Sequence, residues 1–389
     1  MISIFFLWLL IILLIQILFK LINITKNQII CFFISLLIIL FAVNLKVSMA
    51  AAIEGANLWF KAMLPTLFPF LVICNLLISY DGISIYSKLL GPLLCRPLGL
   101  SKNCSFPLAA SFLCGYPLGA KYCSDIYDLG YIDRKEYIRL LNIASNCGPL
   151  FIIGSVSAAM LGNIKFGYLL LIPNYLSLII IGFITKGKKT LSKPTSFIPP
   201  TPNKNFGQAF KDAIENALTT TISVGGFIII FSVVIGIIKN NAPISIIFNN
   251  IESYINLPKD SLYAFFLGSI EITNGCNILA TSSLTIPLKL SIISFLCSFS
   301  GLSIIAQVSS FTSKHHVPII KYILLKFFQG IISFLITLGI SNFFLGSITT
   351  STSNTLASLD PYMYFIPIVI LLILAFIEFV MKNLFFHVS

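Results

Sequence analysis

Two long apolar runs in this chain are each broken midway by residues that do not carry a helix forward. Gly115-Tyr116-Pro117-Leu118-Gly119-Ala120-Lys121 interrupts the first, and Glu271-Ile272-Thr273-Asn274-Gly275-Cys276-Asn277 interrupts the second. Hydrocarbon offers no water to an unpaired backbone N–H or C=O, so irregular chain at membrane depth persists only against protein or along a wet cavity. A matched pair of such breaks marks a place where something binds, as in transporters.

The membrane setting follows from the rest of the chain. Hydrophobic residues make up 57% of the sequence and charged residues 10%, with a mean hydropathy of +0.97, against roughly 25% charge in a soluble domain. Apolar stretches lie near 1–22, 28–45, 60–80, 139–162, 166–185, 219–238, 289–311, 318–345 and 362–381. At about 20 residues per span they predict about eight or nine crossings. The first, from Met1 to Leu18, lacks a basic leader and a small-residue cleavage site, so it reads as a retained span.

The net charge of +12 sits in clusters between spans, which is membrane topology and not a nucleic-acid surface. Lys186, Lys188, Lys189, Lys193, Lys204 and Lys211, mixed with prolines, predict a cytoplasmic linker over 186–211. The basic region 81–138 and the Lys314-His315-His316 loop fall on the same side only if 104–121 and 261–288 each dip in and return. Both are therefore expected to be re-entrant hairpins. The charge-dense stretch from Asp125 to Arg139 is expected to be a solvated cytoplasmic helix and loop. The nine cysteines, with no C-x-x-C pair, read as small apolar fillers. His315-His316 lacks further ligands at metal-site spacing, and no metal is expected.

An internal repeat is visible. Ala52-Ile53-Glu54-Gly55-Ala56 resembles Ala213-Ile214-Glu215-Asn216-Ala217. Each motif opens a helix of about 25 residues. An amphipathic stretch (83–100, 243–256), a broken segment and a small-residue span follow in both copies. An odd number of crossings between the two starts predicts inverted topology.

The breaks carry the candidate chemistry. Pro117 cannot donate a backbone hydrogen bond, while Gly115 and Gly119 permit unusual dihedrals and close approach. A helix restarting after that turn aims free N–H groups at an anion. The competing reading of Gly115-x-x-x-Gly119, a packing face, is weaker because Pro117 sits between the glycines. Lys121 either neutralises an anion or snorkels to the interface, and snorkelling is the expectation. Glu271 follows an apolar run with no charge until Lys289. It is the expected ion-coupling group, against the alternative of a helix cap. Thr273, Asn274 and Asn277 offer polar contacts beside it, with Gly275 allowing the turn. Asn142, Ser145 and Asn146 precede a Gly148-Pro149 kink, and Ser298, Ser300, Ser303 and Gln307 line the second copy at helical spacing. Those polar groups either bind substrate or hold helices together. P-loop, H-E-x-x-H and Ser/His/Asp patterns are absent, so enzymatic activity and ATP-driven transport within this chain are not expected.

Leu64-Pro65-Thr66-Leu67-Phe68-Pro69-Phe70, Cys114-Gly115-Tyr116-Pro117-Leu118-Gly119-Ala120-Lys121, Asn146-Cys147-Gly148-Pro149 and Glu271-Ile272-Thr273-Asn274-Gly275 together resemble the YlbJ-type sporulation integral membrane proteins, over roughly residues 45–345. The resemblance implies two gate, or nucleoside-recognition, domains related to the core of concentrative nucleoside transporters. It also implies a part in moving dipicolinic acid from the mother cell across the outer forespore membrane. Dipicolinate is a flat dianion, which the hairpin tips, polar spans and Tyr116 ring suit. The Gln/Thr/Glu pattern of nucleoside transporters is replaced by Gly-Tyr-Pro at the first hairpin, which points away from a nucleoside and from the sodium site.

The expectation is an all-α polytopic membrane protein with two inverted-topology repeats, each holding a re-entrant hairpin. Residues 1–45 form N-terminal spans, 46–185 the first gate repeat, 186–211 the linker, 212–345 the second gate repeat and 346–389 a last span. The expected substrate-binding set is Gly115, Tyr116, Pro117, Gly119, Lys121, Asn146, Gly148, Thr273, Asn274, Gly275, Asn277, Ser300 and Gly301, with Glu271 for ion coupling. No cofactor is expected, and protons or sodium would drive transport. The expected partners are a small anion, membrane lipid and, by analogy with nucleoside transporters, further copies of the chain. Transport of another small anion or a nucleoside, or a non-transporting sporulation scaffold, are the alternatives.

Overall fold

The computed structural model describes residues 25–186, 205–255 and 257–345. The expected first and last spans and most of the 186–211 linker lie outside them. The described chain is all-helical, with no strand among the described residues. Five helices there are long and apolar enough to cross a bilayer: Leu45–Ser79, Lys165–Ile184, Phe206–Asn240, Ile286–Phe311 and Ile319–Phe344.

After α1 (Lys26–Val43), opened by a Thr25/Gln28 capping box, the order of elements occurs twice. The first set is α2 (Leu45–Ser79), the short α3 (Gly82–Leu89), the paired arms α4 (Ser105–Cys114) and α5 (Leu118–Asp128), a broken helix made of α6 (Arg134–Ile143) and α7 (Leu150–Met160), and α8 (Lys165–Ile184). The second set is α9 (Phe206–Asn240), α10 (Ala242–Tyr254), the arms α11 (Ser261–Ile270) and α12 (Ile272–Thr281), a broken helix made of α13 (Ile286–Phe299) and α14 (Gly301–Phe311), and α15 (Ile319–Leu345).

The long helices α2 and α9 are each 35 residues, longer than the 25-residue expectation. At about 1.5 Å per residue they reach about 52 Å, so they extend beyond a hydrocarbon core of about 30 Å. They pack antiparallel. A Cβ on Gly236 would come 2.6 Å from the Ala51 Cβ, and one on Gly55 2.7 Å from Ser232 Oγ. Farther along, the Trp59 indole donates to Thr221 O at 3.0 Å and Asn75 Nδ2 to Ala213 O at 3.2 Å. Small residues let the backbones approach where no hydrophobic force drives helices together, and side-chain hydrogen bonds fix the register. The i→i+5 turn at Trp59–Met63 precedes Pro65, whose missing N–H disrupts regular winding.

Both broken segments fold as pairs of short helices packed on one another. The arms α4, α11 and α12 each have ten residues, about 15 Å at about 1.5 Å per residue and about half of what a crossing needs. In the second pair the backbones touch: a Cβ on Gly275 would lie 2.3 Å from Gly268 Cα. The buried Glu252 carboxylate caps the entry to α11, accepting from Asp260 N and Leu262 N at 2.7 Å and from Tyr263 N at 3.1 Å.

One expectation is corrected. The charged stretch from Asp125 to Arg139 is not one solvated helix and loop, because it divides between the end of α5 and the start of α6, and much of it is packed. Asp133 caps α6 through Glu136 N. Arg139 donates to the carbonyls of Leu98, Gly99 and Gly182. Tyr131, in the intervening loop, donates to Asp81 at 3.0 Å. Its burial, together with that carboxylate, pushes the phenol pKa up to about 12.

Because the arms of the second hairpin meet at two glycines, Gly275→Val is expected to destabilise the protein by about 1–3 kcal/mol or more. Gly226, which faces open space, provides the control substitution Gly226→Ala. Thermal unfolding of the purified full chain in detergent checks this, and equal melting temperatures for the two variants would refute the packing argument.

Candidate functional site

The first hairpin tip packs directly on the break between α6 and α7. Residues 145–148 leave helical winding there, as the Gly148-Pro149 pair predicts, because proline disfavours helix in the residue before it. Gly115 adopts φ +77°, and a Cβ on it would lie 2.3 Å from Gly148 N. This position therefore requires glycine both for its dihedral and for its neighbour. Tyr116 N donates to Asn146 O at 2.6 Å. A Cβ on Gly119 would lie 1.6 Å from Ala144 O, so the Gly-x-x-x-Gly spacing serves packing as well as the turn. The Tyr116–Pro117 peptide is cis.

The second break, at Ser300 and Gly301, is formed by two successive residues with positive φ, +76° and +68°. The end of α11 covers it: a Cβ on Gly301 would meet the carbonyls of Gly268, Ser269 and Ile270 at 3.2–3.4 Å. In both copies, therefore, a hairpin tip seats against the interruption of the following helix.

A buried polar network joins the two breaks. Ser145 Oγ and Tyr322 OH lie 2.7 Å apart. Lys326 Nζ donates to Ser145 O, and to Gln329 Oε1 at 2.9 Å. Gln329 Nε2 donates to Asn146 Oδ1 at 3.4 Å, and Asn146 Nδ2 to Ser111 Oγ at 3.4 Å. Tyr116 OH donates to Cys297 O at 3.4 Å, and Asn174 Nδ2 to Ser298 Oγ at 3.0 Å. The cysteines are fillers in size, and three of them are buried here: Cys147 in the first break, Cys276 in α12 and Cys297 near the end of α13.

The helix starts at these breaks differ. Neither α5, beginning after Pro117, nor α7, after Pro149, nor α14, after Ser300, has a side-chain cap. By contrast, α12 begins with Glu271, whose carboxylate accepts from Thr273 N and Asn274 N at 3.0 Å and from Asn274 Nδ2 at 2.8 Å. The second hairpin already carries its own anion at the positive end of a helix.

Gly115, Tyr116, Pro117, Gly119, Asn146 and Gly148 come together at the first break, and Ser300 and Gly301 lie just beyond Cys297, whose carbonyl Tyr116 OH reaches. Thr273 and Asn274 belong to the Glu271 cap, where Lys239 Nζ donates to Asn274 Oδ1. Gly275 is the hairpin crossing, and Asn277 is exposed. Lys121 is 9% exposed and pairs with Asp125 Oδ2 at 2.5 Å, so it does not snorkel free. It lines an open pocket with Ser124, Asp128, Asn216, Ser310 and His315, and His315 Nε2 lies 3.4 Å from Asp128. Among the described residues, no group of three or more His, Cys, Asp or Glu is placed to hold a metal.

Sequence reasoning missed Tyr322, Lys326 and Gln329, which sit in a run read as uniformly apolar. Their signal was present: Tyr322, Lys326, Gln329, Ser333, Thr337 and Ser341 recur at helical spacing and are all buried. Ser294 meets this stripe, 2.6 Å from Ser333 Oγ and 2.7 Å from Thr337 Oγ1.

This is an all-helical integral membrane protein whose residues 60–179 match the Gate family, described as nucleoside recognition. It is similar to the sporulation integral membrane protein YlbJ of Bacillus subtilis (strain 168), with 25% identity over 306 residues, 73% of this chain and 75% of that protein. Among solved structures, an outward-facing structure of a CNTnw variant covers 83% of this chain and 88% of its own, at 15% identity and a TM-score of 0.43.

Because Tyr322 OH meets Ser145 Oγ in the buried first break, Tyr322→Phe keeps the ring and strands the Ser145 hydroxyl. It is expected to cost about 1–3 kcal/mol. A melting temperature unchanged from wild type, measured on purified protein, would contradict the contact.

Proposed function

We propose that the chain is a transporter of small organic anions, and that in a sporulating cell it carries dipicolinate from the mother cell across the outer forespore membrane. The observation that carries this reading is the trio of helix starts without side-chain caps at the two breaks. Free N–H groups and the positive ends of helix dipoles favour carboxylates. The ring of Tyr116 offers a flat aromatic acid a stacking surface. Similarity to a sporulation membrane protein supports the setting, and the Gate match supports a ligand-recognising core.

Alternating access follows from the twofold element order. The antiparallel pairing of α2 with α9 supports two repeats of inverted topology, with one hairpin entering from each face and the two moving against the remaining helices. Glu271 is the coupling group of this reading. Its carboxylate caps α12 through Thr273 N and Asn274 N, and a coupling cation bound there would compete with those bonds and loosen the second tip. Protons or sodium supply the gradient.

Radiolabelled dipicolinate uptake into proteoliposomes, with proton and sodium gradients imposed separately, tests the assignment. Saturable uptake accelerated by one gradient, with nucleosides failing to compete, is the expected result. No uptake, or nucleosides displacing dipicolinate, would defeat it. Under the same conditions Glu271→Gln is expected to abolish uptake or free it from the gradient, whereas a wild-type rate and gradient dependence would remove Glu271 from the coupling step.

A further inference from the structure

Lys326 lies within α15 and is 1% exposed. Its Nζ meets Ser145 O and Gln329 Oε1, and stands 5.9 Å from the Tyr322 ring centroid. All three partners are uncharged. No ion pair to it occurs among the described residues. Burying an ammonium inside a membrane protein without a counter-ion is among the most costly placements available to a side chain. A neutral donor such as glutamine would satisfy the Ser145 carbonyl without that cost, so holding the break together does not account for a lysine here. The ammonium has three N–H donors, and two have partners.

Its location supplies the second observation. Ser145 belongs to the unwound stretch between α6 and α7, against which the tip of the first hairpin packs. Asn146, the acceptor of Tyr116 N, is tied through Gln329 to the same ammonium. The Lys326 amine therefore sits at the junction that the transport reading assigns to the substrate, where a carboxylate would supply the counter-ion that its ammonium form lacks.

We propose that Lys326 is the fixed cation that receives a carboxylate of the transported molecule at the α6–α7 break. This rests on the transport reading and specifies its selectivity: the site takes small organic anions and rejects neutral molecules of the same shape. The Ser145 carbonyl and the Gln329 amide oxygen hold the ammonium until the substrate arrives. An arriving carboxylate displaces them, because it brings the opposite charge that a neutral carbonyl oxygen lacks. No covalent step is involved.

Binding of radiolabelled dipicolinate to the purified full chain in detergent tests this with Lys326→Gln and Lys326→Arg, and with pyridine-2,6-dicarboxamide as the uncharged competitor. Lys326→Gln is expected to weaken binding by about tenfold or more, and Lys326→Arg to retain part of the wild-type affinity. On wild-type protein the diamide is expected to compete about tenfold or more weakly than unlabelled dipicolinate. Lys326→Gln binding within about twofold of wild type, or a diamide that competes as well as the diacid, overturns the inference. The second arm needs no variant, so it decides the matter even if Lys326→Gln does not fold. Wild-type protein that binds no dipicolinate overturns the substrate assigned above, a separate failure. Lys326 is then judged by the same variants with nicotinate and succinate, where equal binding by wild type and Lys326→Gln overturns its role.

Discussion

Everything distinctive in this protein depends on how it satisfies backbone groups that are not wound into helices in a solvent without hydrogen bonds. Continuous helix would have met that demand at every crossing. The chain instead opens its backbone at Gly115–Pro117, at Ser145–Gly148, at Glu271 and at Ser300–Gly301, and covers each opening with protein. Tyr116 N finds Asn146 O, Glu271 closes the start of α12, and the carbonyls at the end of α11 lie over Gly301. The glycines at these contacts are consequences of that cover, because two backbones can shield each other only where no Cβ stands between them.

Seating each hairpin tip on the neighbouring helix break concentrates polar atoms in a small buried volume. The tips bring few side chains, so α15 supplies much of the chemistry with Tyr322, Lys326 and Gln329. The two halves are unequal in charge. The α5, α7 and α14 starts have no side-chain cap and one ammonium stands near them, while the α12 start is occupied by a carboxylate. In the proposed transport reading this difference divides the labour between receiving an anion and responding to a cation.

Both hairpins were legible in the sequence because Gly-Tyr-Pro and Glu-Ile-Thr-Asn-Gly each violate helix continuity locally, and the Gly148-Pro149 pair revealed the first helix break for the same reason. The Ser300–Gly301 break left a fainter trace, since serine rarely adopts positive φ. The charge-dense stretch from Asp125 to Arg139 misled because charge density reports solvation only when the partners are water. Arg139 has three carbonyls, and two of them, on Leu98 and Gly99, are some 40 residues back along the chain. Lys326 escaped notice because hydropathy averaged over a window erases a single lysine among Leu, Ile and Phe. Only the spacing of the polar residues along α15 recovers the face on which it lies.

Tyr322 and Lys326, one turn apart on α15, both hold Ser145 of the first broken helix, one at its hydroxyl and the other at its carbonyl. Any motion that carries the α6–α7 break away from α15 must part both contacts together. The junction is thus a clasp with two teeth cut into a single helix. The first break cannot slip past one tooth while the other holds, which makes α15 the fixed edge for that stretch of chain.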